Sequence, residues 1–355
     1  MSDKKKRADT LSERYRAILG AAVNEYIRTA EPVSSRAIAM RYSPGVSPAT
    51  IRGIMAELES EGFLFQPHTS AGRMPTEKGF RFYVDRLLEL TEPDEVDKRL
   101  LMECCESLYD PGGVFTETTR ALSAITRCAG LVFIPGKDNF MIKYIKFLPM
   151  DTSSVMVLVV SSFGYVKTRL VRLDTDVSRL DLEKISNYLN SIGRGLTLKT
   201  LRSRIVEEMK KEKNLYDRLL ANALKLGVLA LNNDGEGGGD ELYLDGKINI
   251  LEQPEFRDDI ERMRRVFAAF EEKGILVKIL DKSMGEDGIH IYMGSENTIE
   301  GFEDLSLVTA PCAMEGEVFG TLGVIGPLRM DYSRIVPLVS YTAGLLERFF
   351  GHGSS

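Results

Sequence analysis

The chain has 355 residues, a formal net charge of −6 and 43% hydrophobic residues. This length exceeds what one compact core usually fills, so we expect two or three domains. The ordinary composition excludes a disordered or fibrous chain, and no apolar run approaches the ~20 residues of a membrane helix. The basic start MSDKKKRADT leads into no apolar core, so we expect no signal peptide, no membrane partner and a cytoplasmic protein.

The charge is unevenly distributed along the chain. Residues 1–90 hold 14 Lys and Arg against 11 Asp and Glu, a net of +3. The remaining 265 residues hold 32 against 41, a net of −9. A small basic module beside an acidic body is typical of proteins in which one part meets an anionic partner.

Cysteine and histidine usage argues against several chemistries. The cysteines, which lack C-x-x-C spacing and a nearby histidine, are Cys104, Cys105, Cys128 and Cys312. The chain has no P-loop, no G-x-S-x-G elbow and no H-E-x-x-H. We therefore expect reduced thiols, no metal, no cofactor and no enzyme activity.

The first 90 residues predict a compact helical unit with one hairpin. Apolar periodicity indicates helices over 11–29 and 33–42, and Ser47 followed by Pro48 starts a third helix that Gly62 stops. Short strands follow at 63–66 and 73–74, and Thr76 opens a further helix through Leu90. A domain boundary is expected at 91–94.

The rest of the chain indicates an α+β fold. Helices are predicted through 108, over 116–128 and over 182–189, and strands over 130–134, 143–149, 155–161 and 166–173. Residues 196–284 carry charged amphipathic helices, after which strands at 289–293, 305–314 and 317–325 and a helix over 332–350 follow. One α+β core interrupted by a helical insertion explains this order. The leucines Leu215, Leu219, Leu226 and Leu229 fit either a core or a dimer seam.

The pattern helix–turn–helix–hairpin over 33–74 is the sharpest functional signal. The second helix would cross the phosphate backbone and the third would enter the major groove. If Ile51, Met55 and Leu58 face the core, then Ala49, Arg52, Gly53 and Ala56 face outward. Small residues around one arginine allow close approach, and arginine suits a bidentate contact with guanine.

Hydroxyls near the helix N-termini suit phosphate oxygens, and the loop 68–70 with Arg73 would form a wing. The candidate DNA-binding residues are Ser34, Ser35, Arg36, Ser47, Pro48, Ala49, Thr50, Arg52, Gly53, His68, Thr69, Ser70 and Arg73. Simpler interpretations stay open, because Ser47 caps a helix in any case and an exposed arginine is usually only solvated. The same helical pattern also occurs in three-helix bundles that bind no DNA.

Several motifs resemble the HrcA family of bacterial heat-inducible transcription repressors. In the first 90 residues they are EPVSSR at 31–36, VSPATIR at 46–52 and QPHTSAGRMPT at 66–76. Further matches are ELYLDG at 241–246, LEQPEF at 251–256, SLVTAP at 306–311, GVIGP at 323–327 and MDYSR at 330–334. The resemblance therefore spans most of the chain in one order.

This resemblance implies a multidomain α+β protein. It implies a winged-helix DNA-binding domain at 1–92, a GAF-like domain at 93–195 and 285–355, and an inserted dimerisation domain at 196–284. It further implies a homodimer that represses chaperone operons of the groE and dnaK type by binding double-stranded DNA at an inverted-repeat operator, CIRCE. A GroEL-type chaperonin would maintain activity, which heat stress would abolish, in a cytoplasmic protein that joins the nucleoid when bound.

Two positions depart from the family pattern, and a second function class stays open. The family usually has Asn and an acidic residue after the arginine of the third helix, where this chain has Gly53 and Ile54. A glycine there costs about 1 kcal/mol of helix stability against alanine. The alternative function is a metabolite-responsive winged-helix regulator with an effector in the GAF-like domain.

Overall fold

A computed structural model provides the coordinates. It describes residues 11–43, 45–69, 71–106, 110–136, 141–151, 154–162, 166–172, 178–197, 200–201, 203–205, 207, 240–257, 259–271, 273–285, 288–297, 302–314 and 317–352. No helix within these ranges is long and apolar enough to cross a membrane. The leucines between 215 and 229, predicted to form either a core or a dimer seam, lie outside the described residues.

Residues 11–90 form the N-terminal module. Its elements are α1 (Glu13–Thr29), α2 (Ser35–Arg41), α3 (Pro48–Ser60), β1 (Leu64–Phe65), β2 (Met74–Pro75) and α4 (Glu77–Arg86). The helices pack around the fully buried Leu19, Ile38, Ile51 and Leu58. The predicted elements are confirmed here, although α4 ends at Arg86, four residues before the predicted Leu90.

The hairpin of the N-terminal module is joined to the start of α2. The Val33 amide donates to the Arg73 carbonyl at 2.8 Å, and the Arg73 amide donates to the Val33 carbonyl at 2.9 Å. A Cβ at Gly72 would lie 2.4 Å from the Val33 carbonyl oxygen, so this approach requires glycine. The hairpin is thereby fixed against the helical part of the module.

Residues 95–136 and 240–352 form the body. Its helices are α5 (Glu95–Glu106), α6 (Pro111–Thr126), α8 (Lys247–Leu251), α9 (Pro254–Arg257), α10 (Ile260–Glu271), α11 (Lys273–Met284) and α12 (Tyr332–His352). Its strands are β3 (Ala129–Ile134), β7 (Glu241–Asp245), β8 (His290–Met293), β9 (Leu305–Met314) and β10 (Glu317–Pro327). They form an antiparallel sheet in the order β7-β3-β10-β9-β8. Alternating side chains are buried against α6 and α12 on one face and against α10 and α11 on the other.

Helix α6 begins five residues before its predicted start at 116. Asp110 caps it by accepting a hydrogen bond from the Gly113 amide at 2.9 Å, and Pro111 takes the first helical position. The sequence Asp110-Pro111-Gly112-Gly113 was expected to be a break between helices. It is instead the capped first turn of α6.

A second sheet, here called the inserted sheet, consists of β4 (Ile142–Pro149), β5 (Ser154–Ser161) and β6 (Val166–Arg172). Helix α7 (Arg179–Gly193) packs on one face of it. The shared core holds Ile145, Val157, Val171, Leu182 and Leu201, and is separate from the cores of the body.

The predicted start of an insertion at residue 196 does not match this arrangement. The inserted sheet belongs with α7, so the chain leaves the body sheet after β3, near residue 136. It returns by residue 240, because β7 pairs with β3 and α10 and α11 cover the body sheet. The predicted boundary at 284 is too late for the same reason.

Candidate nucleic-acid interface

The N-terminus of α3 is exposed and carries two hydroxyl groups. Ser47 caps the helix, since its Oγ accepts a hydrogen bond from the Thr50 amide at 3.1 Å, and Pro48 occupies the first turn. The Ser47 and Thr50 hydroxyl oxygens lie 2.9 Å apart. All of residues 47–50 are exposed. The positive end of the helix dipole, together with the hydroxyls, forms a surface suited to an anion.

The outward face of α3 agrees with the predicted helical pattern. Ile51, Ile54, Met55 and Leu58 are buried. Arg52 is exposed between Ala49, Gly53 and Ala56, which are exposed as well. A Cβ at Gly53 would meet nothing within 4 Å, so the outward side of the helix is open at this point. Ile54 lies in the core, and its departure from the family pattern therefore falls on the buried face.

Two acidic residues hold the C-terminal half of α3. Tyr15 of α1 donates a hydrogen bond to Glu57, and this bond raises the pKa of the tyrosine. Arg73 donates to Glu59 at 2.7 Å across the start of the hairpin. The carboxylates therefore lie toward the C-terminal end of α3, and the N-terminal half carries the arginine and the hydroxyls. The positive and the negative side chains are therefore separated along α3.

Helix α2 is capped by Ser34, whose Oγ accepts from the Ala37 amide at 3.2 Å. Ser34 and Arg36 are exposed, as the predicted backbone contact needs. Ser35 differs from its neighbours, because its side chain is buried at 9% exposure. The expectation that Ser35 contacts phosphate is not supported by this position.

Hydrogen bonds from the Gln66 side chain stabilise the loop between β1 and β2. Gln66 Nε2 donates to the Thr69 carbonyl at 3.1 Å and to the Ala71 carbonyl at 2.8 Å. His68 and Thr69 are exposed at the tip, while Ser70 lies outside the described residues. These bonds shape the loop while leaving its tip accessible.

Arg73 lies between the hairpin and α3. Its side chain is only 15% exposed and is paired with Glu59 of α3. The guanidinium therefore links the hairpin to α3. Arg73 thus holds the hairpin in place, and its DNA contact stays a prediction.

A buried carboxylate that the sequence analysis missed ties α1 to the end of α2. Glu25 accepts hydrogen bonds from Arg28 at 2.7 Å and from the Tyr42 hydroxyl at 3.1 Å, with Arg41 at 3.5 Å. The Arg28 bond, followed by the Tyr42 bond, lowers the pKa of Glu25. Tyr42 lies 17 residues from Glu25, so no local signal marked this cluster.

The described residues contain no group of three or more His, Cys, Asp or Glu side chains that could hold a metal ion. The four cysteines are free, and burial raises the pKa of the Cys128 thiol to about 12. A thiol with a raised pKa carries little thiolate at neutral pH.

The chain is similar to known proteins over nearly its whole length. The family model described as HrcA protein C terminal domain matches residues 112–336. The heat-inducible transcription repressor HrcA of Geobacter sulfurreducens is 43% identical over 339 residues, which is 95% of this chain and 98% of the relative. The repressor of the same name from Syntrophobacter fumaroxidans is 41% identical and covers 95% of this chain and 97% of the relative.

A solved structure supports the fold. The crystal structure of a hypothetical protein at 2.2 Å resolution superposes with a TM-score of 0.62 at 23% identity, covering 98% of this chain and all of that one. On the sequence matches to the curated relatives and to the family model, the chain belongs to the HrcA family of heat-inducible transcription repressors.

Proposed function

We propose that this protein is a sequence-specific DNA-binding repressor of heat-shock chaperone operons, with the N-terminal module as a winged helix. The observation that carries the proposal is the exposed N-terminal half of α3, with Arg52 between Ala49 and Gly53. In this arrangement α3 enters the major groove and Arg52 donates to a guanine edge. The small neighbours let the helix approach the bases closely.

Phosphate contacts would surround this base contact. Ser34 Oγ accepts one amide hydrogen bond and retains a hydroxyl proton to donate, and the hydrogen-bonded Ser47 and Thr50 hydroxyls leave one proton of the pair for a phosphate. Arg36 and Thr50 are exposed beside them, and His68 and Thr69, with Ser70, would form the wing contact. Such contacts fix the register on the duplex and carry no base information of their own.

The inserted sheet supports the proposed homodimer. Its face away from α7 exposes Tyr144, Leu148, Val166 and Leu170, at 37–58% relative exposure. The register places Tyr144 opposite Val160 and Val160 opposite Val166, so these side chains share one face across the three strands. An exposed apolar sheet face favours burial against a protein. A two-fold dimer built there would present two copies of α3 to an inverted-repeat operator such as CIRCE.

The body would then be the GAF-like part of the protein, and a GroEL-type chaperonin would keep the repressor active until heat stress. Membership of the heat-inducible family supports this part of the proposal. The alternative is that a metabolite bound in the body controls DNA binding. The two alternatives differ in whether the chaperonin or a change in metabolite restores DNA binding after stress.

A gel-shift assay tests the proposal with the full-length protein. We expect binding to an inverted-repeat operator in preference to a scrambled duplex of equal length, and an affinity that falls as salt rises. Chaperonin added after a heat pulse should restore the shift. Equal affinity for the scrambled duplex would refute sequence-specific binding. Release of DNA by a small metabolite in the absence of chaperonin would refute control by the chaperonin and support the metabolite-responsive alternative.

A further inference from the structure

Arg81 of α4 attaches the N-terminal module to the edge of the body sheet. Its Nη1 donates to the carbonyl oxygen of Ile291 in β8 at 2.8 Å. Asp85, one turn later on α4, accepts from Nε at 3.1 Å and from Nη2 at 2.5 Å. Because Asp85 fixes the plane of the guanidinium, Arg81 holds α4 at one distance and angle from β8.

A second arginine, which belongs to the body, donates a hydrogen bond to the N-terminal module. Arg329 follows β10 in the body, and its side chain is only 14% exposed. Its Nη1 donates to the Ile27 carbonyl in the last turn of α1 at 3.3 Å. Glu255 accepts from its Nε, and Gln253 Oε1 accepts from Nη2 at 2.8 Å. Arg329 is therefore held by the body and reaches the module.

Between these contacts, the hairpin and the body are separated by a cleft of about 440 Å³. Phe65 and Met74 line it from the hairpin, and Pro254 and Leu328 line it from the body. On the Arg81 side, Ser295 Oγ also donates to Glu77 at 2.6 Å. Since the hairpin faces open space, the polar contacts at the two sides of the cleft act together with the apolar cluster shared by module and body to set the hairpin's orientation.

We propose that Arg81 and Arg329 are positioning residues that fix the orientation of the N-terminal module and thereby determine which operator half-site spacing the dimer accepts. This inference rests on the proposed function. Each base pair added between two half-sites moves the second by about 3.4 Å and turns it by about 35° around the duplex. Two modules held rigidly on one dimer match a single spacing, whereas loosely held modules accept several.

The experiment compares wild type with the double variant Arg81→Ala/Arg329→Ala on operators whose spacer is changed by one, two and five base pairs, and on an isolated half-site. Wild type should lose about 10²- to 10⁴-fold in affinity at a wrong spacing, because only one module then binds. The double variant should lose about tenfold or less at the same spacings. Its affinity for the isolated half-site should equal that of wild type.

The charge-matched control is Arg264→Ala/Arg348→Ala, which removes two exposed arginines of the body. It should keep the wild-type spacing profile. An unchanged dependence of affinity on spacer length in Arg81→Ala/Arg329→Ala would overturn this inference but leave the proposed function intact. Loss of half-site binding in that variant would overturn the inference as well, because the arginines would then support the module's fold. If wild type prefers no inverted repeat over scrambled DNA, the proposed function itself fails.

Discussion

The N-terminal module and the inserted sheet both leave side chains exposed, but of opposite kinds. On the N-terminal half of α3 the exposed side chains are hydroxyls, small residues and one arginine. On the inserted sheet they are Tyr144, Leu148, Val166 and Leu170. Binding to phosphate weakens with salt, whereas burial of apolar area does not depend on charge screening. The two surfaces therefore favour two different partners, and each can be disrupted without touching the other.

The largest effect is expected on the apolar surface. Leu170→Asp places a charge on the outer face of β6 and should convert the dimer to a monomer, measured by light scattering. Operator affinity should then fall about 10²- to 10⁴-fold, because the second half-site no longer adds to binding. Leu180→Asp is the control, since Leu180 is exposed at the start of α7 rather than on this face. A dimeric Leu170→Asp protein would contradict the assignment.

The polar surface is tested next by Arg52→Ala. A base-reading arginine should cost about 1–3 kcal/mol of operator affinity and relax the preference at one base position. Oligomeric state should not change, in contrast to Leu170→Asp. Arg264→Ala removes an exposed arginine from α10 and should lose little affinity and no sequence preference. Unaltered affinity and specificity in Arg52→Ala would remove Arg52 from the recognition surface.

A pH series tests whether α2 is held by the buried carboxylate. The lowered pKa of Glu25 means that its contribution to folding is present above its ordinary value of 4.5. That contribution is lost as pH falls through the lowered pKa. Glu25→Gln should cost about 1.5 kcal/mol in the free energy of unfolding at pH 7 and should flatten the acid side of the stability curve. Glu31→Gln, at an exposed position, should behave as wild type.

The smallest effect is expected from Gly53→Ala. Since the added Cβ meets nothing within 4 Å, alanine should raise the free energy of unfolding by about 1 kcal/mol through helix propensity. Gly79→Ala should act oppositely, because its Cβ would lie 2.2 Å from the Phe63 carbonyl oxygen. Thermal unfolding measures both. If Gly53→Ala gains stability but loses operator affinity, DNA approaches α3 at this residue.

The sequence predicted what depends on local periodicity and capping. The spacing of Ile51, Met55 and Leu58 identified the buried face of α3, and Ser47-Pro48 identified its start. Ser34 and Ser35 could not be separated by residue type, because only the helix geometry makes one a cap and buries the other. The inserted sheet was misplaced since strands of two sheets have the same apolar pattern, and chain order does not state which strands pair.

Long-range polar partners were beyond sequence reasoning. Tyr15 and Glu57 are 42 residues apart, and Arg81 and Ile291 are 210 apart. Tyrosine, glutamate and arginine are also common at solvated positions, so the residue type alone does not identify a distant partner. Arg73 shows the consequence, because its place in the loop favoured a DNA contact while its partner Glu59 lies on α3.

The chain leaves and re-enters the body sheet at neighbouring points. Ile134 pairs with Glu241, and the Gly136 amide donates to Asp240 Oδ1 at 2.8 Å, although these two residues are 104 positions apart. For folding, pairing β3 with β7 closes a loop of about 100 residues, and any compaction of the inserted segment before that step would lower its entropic cost. For protein engineering, the same adjacency means that a two-residue turn could replace the inserted segment and leave the body sheet as a simple hairpin.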